Sequence, residues 1–130
     1  MVSGVNKFVL LVTAISMFIG GIGVMNIMYI SVIERKREIG IRRAIGASPT
    51  KIVCQFLIES TVITVLGCIL GLIVGSIVMN AIAPHIPFKA IPSTSIYLIA
   101  VGSSILTGII SGVLPAFKAA KIDPIEAIKG

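Results

Sequence analysis

The chain has 130 residues, 56% of them hydrophobic and only 12% charged, with a formal net charge of +6. Soluble domains carry about 25% charged residues, so this composition argues against a water-soluble globule, which would have to expose apolar area on the scale that marks interfaces or aggregation. A basic excess can suit nucleic acid, but here the cations sit at the ends of apolar runs and aromatics for base stacking are scarce, which argues against that partner.

Met1 to Lys7 is a short polar lead with Lys7 as its only charge. Phe8 to Ile33 then runs 26 residues without a charge. About 20 residues of helix cross the hydrocarbon core, so this run is long enough to span. A signal peptide does not fit: the apolar region is too long, the leading charge is weak, and Arg35-Lys36-Arg37 follows instead of a cleavage site. Gly20, Gly21, Gly23 and Asn26 stand out inside the run. Each glycine costs a soluble helix about 1 kcal/mol relative to alanine, whereas in a membrane it permits close backbone approach. Ordinary helix packing and a flexible point on a moving helix both account for them. Asn26 should seek a partner across a helix interface.

A dense basic segment follows. Glu34, Arg35, Lys36, Arg37, Glu38, Arg42 and Arg43 make up seven of the chain's sixteen Lys, Arg, Asp and Glu residues. Ile39, Ile41 and Ile45 are interleaved with them, and Glu38 precedes Arg42 by four, the favourable order for a helical ion pair. A helix with a narrow apolar stripe and charged flanks suits a membrane surface or a partner's groove. Ser48-Pro49 reads as an N-cap followed by proline at the first helical position, so a second long helix begins there. It carries Lys51, Gln55 and Glu59, then an uncharged run to Pro84. Gly67, Gly71 and Gly75 are spaced by four and form one smooth stripe, two overlapping GxxxG patterns. Glu59 is a carboxylate about 15 Å along this helix, near the headgroup level. Intramembrane acids are functional candidates by default. The structural alternative is a partner for Arg42, Arg43 or Lys51, or a hydrated carboxylate at the interface. No second acid in any span supports proton coupling.

Cys54 and Cys68 lie in the same helix, fourteen residues or about 21 Å apart, too far for a disulfide. Neither has neighbours at metal-ligand spacing, and both read as small apolar packing residues. Pro84, Pro87 and Pro92 preclude a regular helix across residues 84–92. Ser93 to Phe117 is a third uncharged run of 25 residues, with Gly108 and Gly112 as another close-packing face and Pro115 expected to end or kink it. Asp123-Pro124-Ile125-Glu126 has a cap, a first-position proline and a glutamate three on, so a short terminal helix begins there.

Six Lys and Arg residues lie in the first loop, three in the tail, one in the second loop (Lys89) and one in the lead. Positive-inside then puts the first loop and the C-terminus in the cytoplasm and the N-terminus outside. The fold class read from the residues is an all-α membrane protein. It has three transmembrane helices at about 8–33, 53–83 and 93–117, with a short amphipathic cytoplasmic helix inside the loop 34–51. The outer loop is 84–92 and the cytoplasmic tail 118–130. The sequence shows no catalytic constellation, phosphate-binding loop or metal spacing.

Three stretches carry a resemblance. They are Gly21 to Met28, Glu34 to Ala47, and Gln55 to Ser60, joined by the ending Pro115 to Ala127. In this order they resemble the C-terminal half of an FtsX-like permease, closest to the macrolide-exporter (MacB) type of ABC transporter. The resemblance covers nearly the whole chain. It implies a permease with four spanning helices and a large extracytoplasmic domain, of which this chain would supply helices two to four, as a truncated product or a fragment. It also implies that Glu34 to Ala47 docks on an ATPase as a coupling element, with Glu34, Arg35, Arg37, Glu38, Ile39, Gly40, Ile41, Arg42, Arg43, Ile45 and Gly46 as its candidate residues. The family works as a dimer in the bacterial inner membrane, so the expected partners are an ABC ATPase, a second copy, an outer adaptor and the lipid bilayer. No cofactor is expected in the chain itself, and ATP belongs to the ATPase. Efflux or mechanotransmission of drugs, peptides or lipoproteins is the leading expectation. A division-type regulator acting on a cell-wall hydrolase, and a fragment that does not transport, are the alternatives.

Overall fold

The computed structural model describes residues 2–87 and 91–129. Lys89, the one lysine of the expected outer loop, lies outside them. Five α-helices follow in order: α1 Val2–Glu34, α2 Lys36–Ala44, α3 Pro49–Ile82, α4 Thr94–Ala120 and α5 Pro124–Lys129, with a single 3-10 turn Ala83–His85 after α3. There is no strand among the described residues. α1, α3 and α4 are each long and apolar enough to cross a membrane. The helix α1 extends beyond the expected span 8–33 at both ends.

Pro115 does not end the third run. It sits buried inside α4, which continues to Ala120. Its missing N–H leaves the carbonyl four residues back without a helical donor, a loss that membrane helices tolerate where neighbours pack around the ring.

The core gathers at one end of the bundle. Met28 and Val32 from α1, Ile39 from α2, Ile52 and Phe56 from α3, and Ala116 and Ala119 from α4 bury one another. Ile122, beyond α4, packs on the same cluster. On α1 the buried positions Gly21, Met28 and Val32 recur at helical spacing with Val24 and Met25 half-buried between them. Gly20, Gly23 and Asn26 face away, and the Asn26 side chain makes no hydrogen bond among the described residues. The expected interhelical partner for its side chain is not present among the described residues. Cys54 is exposed and Cys68 half-buried, and both are free thiols.

α3 and α4 form the tightest helix pair. Ser60 is fully buried and its hydroxyl donates to the carbonyls of Leu57 at 3.0 Å and of Gly108 on the other helix at 2.9 Å. Ser104 reciprocates, donating to the Thr64 carbonyl at 2.7 Å. The glycines admit this approach: a Cβ on Gly108 would stand 2.7 Å from Thr61 Cα, and one on Gly112 would overlap the Ser60 side chain. α1 lies on α4 through Gly21, where a Cβ would come within 3.0 Å of Ser111 Oγ. By contrast, Gly67, Gly71 and Gly75 on α3 meet nothing within 4 Å. Of the glycines read from the sequence as packing faces, Gly21, Gly108 and Gly112 pack within the chain; Gly20, Gly23 and the α3 stripe do not.

Candidate functional site

The basic segment folds as a helix, Lys36–Ala44, with a glycine stop at its C-terminal end. Only Arg35 separates α1 from α2, and backbone bonds from Arg35 N–H to Ser31 and from Ile39 N–H to Arg35 bridge the joint. At the other end Gly46 takes φ +112°, a left-handed geometry that glycine adopts without a Cβ penalty. Its N–H donates to the Arg43 carbonyl and that of Ala47 to the Arg42 carbonyl, the Schellman arrangement that satisfies the last turn of a helix. α3 then starts at once, with Ser48 Oγ accepting from Lys51 N–H at 3.4 Å and Pro49 at the first helical position. Gly46 is thus a turn residue.

Five side chains close a ring between α2 and α3. Arg35 Nη1 donates to Glu59 Oε1 at 2.9 Å and its Nε to Glu38 Oε2 at 3.4 Å. Arg42 donates to Glu38 Oε1 at 2.7 Å and to Gln55 Oε1 at 2.6 Å. Gln55 Nε2 completes the circuit to Glu59 Oε1 at 3.4 Å. The Arg35 guanidinium also lies 5.6 Å from the Phe56 ring centre, within cation–π range. Glu38 and Arg42 are the expected helical pair. Glu59 pairs with Arg35 and not with Arg42, Arg43 or Lys51; Arg42 reaches its neighbour Gln55, and Arg43 bonds carbonyls at the end of α4. The Arg35 hydrogen bond, then its charge, holds the Glu38 carboxyl below the ordinary glutamate range, and Arg42 adds a smaller pull. Glu59 and then Glu38 raise the Arg35 guanidinium further above its ordinary value.

Arg43 points the other way. Its Nη1 donates to the carbonyls of Ala120 at 2.6 Å and Ile122 at 3.1 Å, the end of α4. A cation there complements the negative end of the helix dipole. Beside it Gly40 is buried against α5: an added Cβ would collide with the Ala127 methyl. Ile39 is buried in the core. Three of the expected docking residues, Ile39, Gly40 and Arg43, are therefore turned inward and hold α2 to the rest of the molecule. Glu34, Lys36, Arg37 and Lys51 are exposed and form no ion pair among the described residues, while Ile41 is 42% and Ile45 81% exposed.

The FtsX-like permease C-terminal family model matches residues 10–124. The chain belongs to the FtsX-like permease family. Among the relatives of this permease chain is an uncharacterized ABC transporter permease, YknZ, of Bacillus subtilis, 47% identical over 121 residues covering 91% of this chain and 30% of that protein. The macrolide export ATP-binding/permease protein MacB of Agrobacterium fabrum is 46% identical over 120 residues, 90% of this chain and 18% of that protein. MacB of Bdellovibrio bacteriovorus is 44% identical over 118 residues, 91% of this chain and 18% of that protein. The permease chain therefore spans less than a third of the length of these relatives. The match and the three apolar helices make it a multi-pass membrane protein.

Sequence reasoning overlooked the hydroxyls of Ser60 and Ser104, Gln55 as a ring member, and Ala127 as the contact of α5. Only Gln55 left a signal: with Glu59 it makes a polar i, i+4 pair on an otherwise apolar helix.

Proposed function

We propose that the chain is the membrane-spanning part of an ABC-type transporter, coupling a cytoplasmic ATPase to an extracytoplasmic domain for efflux or mechanotransmission. ATP hydrolysis belongs to that ATPase, whether a separate subunit or another part of a longer polypeptide. The chain lies in the bacterial inner membrane with α2 and the C-terminus in the cytoplasm and the N-terminus outside. Drugs, peptides or lipoproteins are the cargo, and the chain works as a dimer.

One observation carries the reading: α2 is anchored on its inner side to every span and presents unpaired cations and isoleucines on its outer side. The five-residue ring ties it to α3, Arg43 ties it to the end of α4, and Arg35 alone separates it from α1. A push on α2 is therefore delivered to all three spans, as rigid-body coupling requires. The ATP-binding part of the Agrobacterium fabrum relative, produced as a separate tagged chain, is a suitable probe. The wild-type permease chain should recover it on co-purification, and Ile41→Asp should lose most of that recovery. Equal recovery by the two would reject docking through α2. Reporter tags beside Arg42 and His85 check the orientation, which fails if the Arg42 tag is reached from outside the cell.

A further inference from the structure

The terminal helix is not a trailing end. α5 packs directly on α2, with Ala127 against Gly40 and the Pro124 carbonyl 3.5 Å from where a Gly40 Cβ would stand. Asp123 Oδ1 caps it by accepting from Ile125 N–H at 2.9 Å. Arg43 holds the connection in place through the Ala120 and Ile122 carbonyls. With Ala127 buried, α5 leaves Ile125 65% and Ile128 48% exposed. These two lie five and eight residues beyond Ala120, where the apolar spanning stretch of α4 ends. Lys36 and Arg37 on α2, and Lys121 and Lys129 around α5, are exposed and form no ion pair among the described residues. Two helices locked together thus offer isoleucines within a charged rim, in which Lys36, Arg37, Lys121 and Lys129 stand beside the exposed carboxylates Glu34, Asp123 and Glu126.

We propose that α5 is the second half of the ATPase-docking platform, contributing Ile125 and Ile128, with Arg43 as the residue that positions it against α2. The inference rests on the reading of α2 as an ATPase contact. The partner that fits is an apolar recess with acidic groups at its edge: the recess receives isoleucines from both helices, and the acids meet the four unpaired cations. Arg43 does not touch the partner. It acts through α5, because its guanidinium is committed to the backbone at the end of α4. Binding anchors of this kind are few and central, so truncating one side of the platform should cost much of the affinity.

The test uses the full chain in detergent with the same ATP-binding probe, comparing wild type, Ile41→Asp, the double variant Ile125→Asp/Ile128→Asp, and Arg43→Gln. Recovery should fall by about tenfold or more for Ile41→Asp and for the double variant. Arg43→Gln should also lower recovery and should speed amide exchange across residues 121–129, which Ile41→Asp leaves unchanged. If Ile41→Asp falls while the double variant matches wild type, α5 faces lipid headgroups instead, and this inference is overturned with the α2 reading intact. If Ile41→Asp also matches wild type, the docking reading itself is lost. Unchanged exchange and recovery in Arg43→Gln would remove Arg43 from the positioning role. Should the double variant fold poorly, Ile128→Cys in a Cys54→Ser/Cys68→Ala background can carry an environment-sensitive fluorophore. Its emission should shift when the ATP-binding probe is added, and no shift overturns the inference.

Discussion

The two ends of the bundle are built differently. At the α2 end, residues from α1, α2, α3 and α4 bury one another around Phe56 and Met28, and a polar ring and an arginine clasp enclose that cluster. At the far end the helices are exposed on most of their faces. A crevice between α3 and α4, lined by Gly71, Gly75, Met79, Ile91 and Tyr97 among others, stands open there. The glycine stripes show the same contrast: the space beside Gly108 and Gly112 is filled by Ser60, Thr61 and Thr64, whereas a Cβ on Gly67, Gly71 or Gly75 would meet nothing within 4 Å among the described residues. In a membrane, helices gain little from leaving lipid for one another, so association depends on close packing and hydrogen bonds. This chain concentrates both where α2 joins the spans, so the helix proposed to meet a partner is also the best held. The stripe of Gly67, Gly71 and Gly75 is left open among the described residues.

Substitutions that probe both ends can break or sharpen this contrast. The largest effect is expected at Phe56, which is 1% exposed. Phe56→Ala should destabilise the chain in detergent by about 3 kcal/mol, mostly as lost contact and a residual cavity. Phe18→Ala, at a site 71% exposed, should change it by well under about 0.5 kcal/mol. Comparable melting shifts for the two would mean that the core is not at the α2 end. Next in size, Gly112→Val should cost about 2 kcal/mol or more because its Cβ already overlaps the Ser60 side chain. Gly71→Val should leave the monomer's melting unchanged, and any loss should appear only in crosslinking between copies. A destabilised Gly71→Val monomer would show that the open stripe is covered within the chain.

The smallest effect is the pH response of the ring. The Glu38 carboxyl is held below its ordinary range by Arg35. A depressed carboxylate contributes stability above its unfolded pKa of about 4.3, and that contribution is lost as pH falls through the lowered folded value. Amide exchange in residues 35–42 should therefore be flat from pH 8 to 5, after correction for intrinsic rates, and rise below about pH 4. Glu38→Gln should blunt that rise; an unchanged profile would take Glu38 out of the response. The pair is half-exposed and the ring is screened by solvent, so the global melting temperature should move little.

How far the sequence led depended on distance along the chain. The three spans follow from uncharged runs longer than a bilayer is thick. The caps at Ser48-Pro49 and Asp123-Pro124 and the Glu38–Arg42 pair follow as directly, since each is set by residues two to four positions apart. Arg35 lies 24 positions from Glu59 and reaches it because α1 and α3 converge there. Arg43 bonds carbonyls 77 and 79 positions on, which no local spacing signals. The inward turn of Ile39 and Gly40 is of the same kind: a stripe of isoleucines does not say which of them meets a neighbouring helix.

The amino-acid order alone settled that the chain is helical and where it can span a membrane, because desolvation of backbone and charge acts on each segment separately. Tertiary structure alone decided which glycines are filled, which arginine meets Glu59, and that Arg43 clasps the tail. Those outcomes require two helices to approach at one register and angle, and that geometry is a property of the packed bundle rather than of any one stretch.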